Sequence, residues 1–141
     1  MIVGLYSGTH SKMVVIIGII LIAISDAMSD ALGVHIAEES AVKNTARDIW
    51  EATGATFVSK LVFSSTFMIP FFLPFSLNLG VILCLVWGAS LIIMFSIYLA
   101  RKRNMSPWHI VLEHLLIAMA VVLVTHFVGD WVGGLSINGV V

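Results

Sequence analysis

Residues 13–35 read MVVIIGIILIAISDAMSDALGVH, and this stretch decides the fold. From Val14 to Ile24 no side chain is polar, and the whole segment is long enough for a membrane span, which needs ~20 mostly apolar residues. Asp26 and Asp30 then stand four apart, so on a helix they emerge on one face, one turn apart. Ser29 and Gly33 continue that face. A carboxylate inside a span costs ~2.5–3.5 kcal/mol even on the lenient insertion scale, so two on one face must point into protein or water. Lys12 is the only positive charge ahead of this run, and the aspartates interrupt the place of a leader cleavage site. The segment therefore reads as a retained membrane helix carrying a polar, thin stripe.

The rest of the chain agrees. Its 141 residues are 60% hydrophobic and only 11% charged, against ~25% charged in a soluble domain. Lipid must serve as solvent for much of the surface. A net charge of −1 argues against nucleic acid as a partner. Cys84 is the single cysteine, so no internal disulfide forms, and its place in an apolar run makes it a small lipid-facing or packed residue.

Three further segments qualify as spans: residues 60–78, which contain Pro70 and Pro74, then 79–100, and 110–132, followed by Gly133-Gly134 and a polar tail. The expected fold is all-α, one transmembrane domain over residues 1–141 with four membrane helices. Glu38 to Glu51 contains neither glycine nor proline, and Glu39, Lys43, Arg47 and Glu51 follow at i,i+4 spacing. The first span is accordingly expected to continue as a polar cytoplasmic helix over 36–53 and to reverse near Thr53-Gly54. Lys43, Arg47 and Lys60 lie in or beside the first link, and Arg101, Lys102 and Arg103 lie in the third. The positive-inside rule puts both links in the cytoplasm and both termini outside. In a prokaryote the membrane would be the plasma membrane.

The candidate metal ligands are Asp26, Asp30, Glu113, His114, Glu38 and Glu39. Intramembrane acids mark ion or proton paths, and Glu113 and His114 begin the last span at the depth expected for Asp30. Oxygen and imidazole donors suit Fe(II) or Mn(II) better than Cu(I). Glu38 and Glu39, with Asp48 and Glu51, make the cytoplasmic extension acidic, which a solvated helix with salt pairs also explains. His126 and Asp130 form another i,i+4 pair, read as interfacial beside the Trp131 anchor, with Trp108 anchoring the opposite end. Met28 and Met68 read as packing residues. An enzyme is not expected. Membrane enzymes that hold diphosphates through Asp-x-x-x-Asp need further acids, and only Ser25 and apolar residues precede Asp26 here; a Gly-x-Gly-Asp protease motif is also missing.

The segment Ser25-Asp-Ala-Met-Ser-Asp-Ala-Leu-Gly-Val-His35 resembles the second helix of the vacuolar iron transporter family, which reads small-Leu-Ser-Met-Ala-Ala-Gly-Glu-Tyr. Ile69-Pro-Phe-Phe-Leu-Pro-Phe75 resembles that family's Ile-Pro-Leu-Leu-Pro-Phe in its third helix. Leu112-Glu-His-Leu-Leu-Ile-Ala118, followed by Val124-Thr-His-Phe-Val-Gly129, is similar to its last helix. Together the resemblance covers about Ile22 to Gly134. It implies a homodimeric transporter of ferrous iron and manganese, with the metal as substrate and no cofactor. The chain departs from the pattern at Asp30, Val34 and His35, where the family has methionine, glutamate and tyrosine. Its cytoplasmic link is shorter, and the family's first helix, which supplies a pathway acid, has no counterpart. Asp26 is the candidate replacement for that acid. The expected function is therefore proton-coupled transport of a divalent transition metal through a homodimer in the bilayer. The alternative is a non-transporting membrane protein whose buried Asp, Glu and His residues are structural.

Overall fold

A computed structural model describes residues 1–137, and every element among them is a helix. In chain order these are α1 (Ile2–Thr9), α2 (Lys12–Glu39), α3 (Ala46–Thr66), α4 (Ile69–Phe72), α5 (Leu77–Lys102) and α6 (Pro107–Ile137). Three of them, α2, α5 and α6, are long and apolar enough to cross a membrane. Their large apolar side chains stay exposed along the length, from Met13 and Leu21 to Phe127 and Trp131, as a lipid-solvated surface allows.

The expected second span over 60–78 is not one helix. α3 begins at Ala46, ends at Thr66, and is followed by the single turn α4 and a break before Ser76. Proline removes a backbone donor and clashes with the preceding turn, so Pro70 and Pro74 divide the segment. The reversal after α2 also falls earlier than expected. It occupies residues 40–45 rather than Thr53-Gly54, because Thr45 and Asp48 form a reciprocal capping box that starts a new helix. Of the expected run of polar i,i+4 neighbours, Lys43 lies in this turn, and Arg47–Glu51 forms an ion pair on α3. The other ends lie close to expectation. Ser76 accepts from the Leu79 N–H to cap α5, whose last turn carries Arg101 and Lys102 against the helix dipole. Asn104 in a left-handed conformation turns the chain, and Pro107 opens α6 as its first residue. Gly133 and Gly134 do not end α6, which runs to Ile137; the polar tail beyond it lies outside the described residues.

The chain divides into two units, one of Met1–Val15 with the chain from Leu73 onward, the other Ile16–Phe72. In the first, α5 and α6 form a hairpin, and α1, unexpected from the sequence, lies along the C-terminal part of α6. Glycine makes that approach possible. A Cβ at Gly4 would lie 2.7 Å from the Thr125 carbonyl oxygen, one at Gly8 2.8 Å from that of Gly129, and one at Gly133 2.6 Å from that of Gly8. These contacts advance together along both helices, so α1 and α6 run parallel, backbone against backbone. Tyr6 donates to Asn78 at 2.9 Å and Lys12 to the Leu73 carbonyl at 3.4 Å, tying the same segment to the start of α5. In the second unit, α2 and α3 run antiparallel. His35 meets Thr53 at 3.0 Å, and further back along α2 Asp26 and Asp30 meet Lys60.

Candidate functional site

On α2, Ala23, Ala27 and Ala31 recur every fourth residue and are buried. Asp26 and Asp30 each precede a member of that row, which places both carboxylates on its flank, as the spacing requires. Lys60, near the C-terminal end of α3, reaches both: Nζ is 3.1 Å from Asp26 Oδ2 and also pairs with Asp30 Oδ2. The three side chains are 39–58% exposed. One ammonium thus faces two carboxylates, and the cluster keeps a net charge of −1 when all three are ionised. Gly33 continues the stripe with open space around it, since a Cβ there would meet nothing within 4 Å.

The remaining expected ligands sit elsewhere. Glu38, at the end of α2, accepts from the Asn44 amide through both its backbone and side-chain oxygens and so closes the 40–45 turn. Glu39 is exposed at the last position of α2, and Glu113 is exposed on α6. His114 is held from α5, with Nδ1 2.8 Å from the buried Ser96 hydroxyl, whose Oγ is 2.6 Å from the Ile92 carbonyl. Serine has one hydrogen to give, and the carbonyl can only accept it. His114 therefore donates from Nδ1 to Ser96, which leaves its Nε2 lone pair unprotonated in the neutral ring. Among the described residues, no three His, Cys, Asp or Glu side chains gather into a group that could hold a metal ion.

Sequence reasoning missed two features. In the sequence Lys60 marks only topology, because its distance from Asp26 in the chain leaves no local signal of the pairing. The second is at the far end of α6, where Ser7 Oγ lies 2.9 Å from His126 Nδ1, 3.1 Å from the His126 carbonyl, and bonds Asp130 Oδ1. The signal was Gly4-x-x-x-Gly8 against Thr125-x-x-x-Gly129-x-x-x-Gly133, two small-residue stripes of the kind that let membrane helices touch.

No family model, no curated protein and no solved structure matches this chain.

Proposed function

We propose that this protein is a multi-pass membrane transporter of a divalent transition metal ion, Fe(II) or Mn(II), and that Asp26 and Asp30 are its intramembrane ligands. The observation that carries the reading is the single Lys60 ammonium bridging two carboxylates within a helix long and apolar enough to cross a membrane. A monovalent cation leaves that pair under-compensated, whereas a divalent ion balances both charges and binds oxygen donors well. Lys60 then acts as a tethered competitor: it occupies the carboxylates between transport events and swings aside when metal arrives. Metal binding favours deprotonated ligands, so entry expels any proton held on the pair, which couples flux to a proton gradient. With two ligands from one chain, a homodimer completes the site. Gly33, with nothing packed on it, supplies the close-approach position. The basic links face the cytoplasm and α3 with α4 returns the chain across the bilayer.

The same triad favours a second reading, in which Lys60 pins α3 to α2 and the protein transports nothing. Reconstitution separates the two. Proteoliposomes loaded with a metal-sensitive dye should take up Fe(II) or Mn(II), and Asp26→Asn and Asp30→Asn should each abolish uptake while retaining the helical circular dichroism of the wild type. Uptake indifferent to both substitutions rules out the ligand role, and a well-folded wild type without uptake of either metal supports the structural reading.

A further inference from the structure

Ser7, His126 and Asp130 stand together where α1 packs on α6, and their proton count has a consequence. Ser7 is buried, and its Oγ meets the His126 carbonyl at 3.1 Å and bonds Asp130 Oδ1, neither of which, in the ionised carboxylate, has a hydrogen to give. Whichever takes the single serine hydrogen, none remains for His126. Nδ1, at 2.9 Å, must therefore donate to Ser7 Oγ. In the neutral ring Nε2 is then a bare lone pair, and it faces Asp130 Oδ2 at 3.5 Å. Two electron-pair donors pointed at one another repel unless a cation lies between them, either a proton that makes the ring an imidazolium paired with Asp130 or a metal ion.

We propose that His126 Nε2 and Asp130 Oδ2 form a second metal-binding site, open to a divalent ion of the zinc type, with Ser7 as its positioning residue. The separation fits. Tetrahedral zinc with nitrogen and oxygen ligands at ~2.0–2.2 Å places its donors about 3.3–3.5 Å apart, against the 3.5 Å found. A ligating histidine normally donates its other ring N–H to an oxygen that fixes tautomer and orientation, and Ser7 does this from one side while holding Asp130 from the other. The two ligand side chains remain 45% and 52% exposed, so the other coordination positions stay open to outside donors and the ion enters without unfolding α1. Only two protein ligands contribute, which makes this an open, exchangeable site. The site lies in a different unit from Asp26 and Asp30 and stands whether or not those residues carry transport.

The test is a Zn²⁺ titration of the purified full chain in detergent, followed by the ¹⁵N resonances of selectively labelled histidine. In the wild type the His126 Nε2 signal should move on Zn²⁺ addition while Nδ1 stays protonated. His126→Gln and Asp130→Asn, which retain hydrogen-bonding groups for Ser7, should each weaken the zinc affinity assigned to this site at least about tenfold, and Ser7→Ala by ~10–100-fold with both ligands still in place. The His126 signal needs no variant to fold. If it fails to shift at about 1 mM Zn²⁺, meaning an affinity weaker than ~4 kcal/mol, or if the affinity ignores both ligand substitutions, the proposal is wrong.

Discussion

The two helix pairings in this protein solve the same problem in opposite ways. α1 meets α6 through glycine, backbone on backbone, and its polar groups are short side chains already within reach. α2 meets α3 across charges at the ends of long side chains, Lys60 against Asp26 and Asp30. The first arrangement depends on volume: no atom can be added without displacing a helix. The second depends on charge balance, beside the buried row of Ala23, Ala27 and Ala31. Lipid explains why neither uses a conventional apolar core, since lipid tails are as apolar as leucine and give helices no hydrophobic reason to associate. What is left is close packing or polar contact, and each pairing relies mainly on one.

The largest effect should come from adding volume at the glycine seam. A Cβ at Gly129 falls against the Gly4 backbone, so Gly129→Leu should release α1 from α6, at an overpacking cost of at least ~1–3 kcal/mol. Limited proteolysis should then cut within Ile2–Thr9, and the thermal midpoint in detergent should fall. Gly33→Leu, by contrast, has open space within the chain and should leave monomer stability unchanged. Equal losses from the two substitutions would remove the distinction between the seams.

Charge should decide the other pairing. Lys60→Met strands two carboxylates one turn apart. For groups that are about half exposed the loss lies between the ~3–5 kcal/mol of a buried pair and the ~0–1 kcal/mol of a surface one, so ~1–3 kcal/mol is expected. Adding Asp26→Asn and Asp30→Asn to Lys60→Met should restore most of that stability, because the stranded charges go with their partner. Denaturant unfolding followed by tryptophan fluorescence, in a background that keeps Trp50 as the single tryptophan, reads both. A triple variant as unstable as Lys60→Met would mean that shape, not charge, holds α2 to α3.

Smaller still is Ser96→Ala, which removes the acceptor of the His114 Nδ1–H between α5 and α6. A cost of ~0.5–1.5 kcal/mol is expected, with the imidazole free to turn to another partner. Histidine ¹⁵N shifts of the variant should report a changed tautomer population at His114 and none at His126.

The smallest change concerns the α2–α3 turn and its sign is fixed. The Thr45 hydroxyl, followed by the Thr45 backbone N–H, bonds the Asp48 carboxylate and holds its pKa below the ordinary 3.8. A carboxylate with a depressed folded-state pKa contributes stability above its unfolded value, and the contribution disappears as pH falls through the folded value. Acidification from pH 3.8 downward should therefore fray the first turn of α3, seen as faster amide exchange at Thr45 and Asp48, whose N–H groups the capping box bonds. Thr45→Ala should fray the same turn already at neutral pH. Exchange there that does not change with pH would show that the capping box contributes nothing.

Much of this was present in the sequence. Apolar runs of the length of a bilayer fixed α2, α5 and α6 to within a few residues, except at the end of α6, because hydropathy is a local property summed over one segment. The Asp26–Asp30 stripe follows from helical periodicity alone, as does the His126–Asp130 pairing on one face. Local signals can also compete, and there the outcome was read incorrectly. The capping box at Thr45 prevailed over an uninterrupted polar run, and two prolines broke a segment whose hydropathy suggested one span.

Contacts between distant parts of the chain were decided only by the tertiary structure. Nothing within a few residues of Lys60 indicates that it joins two aspartates 34 and 30 positions earlier. Nothing near Ser7 points to His126, 119 positions later. Helix formation depends on groups within four residues of each other, so a linear reading captures it. The partner of a charge or a lone pair depends on which helices the chain brings side by side. Here that was settled by where glycines permit backbones to touch and where a long cation can reach.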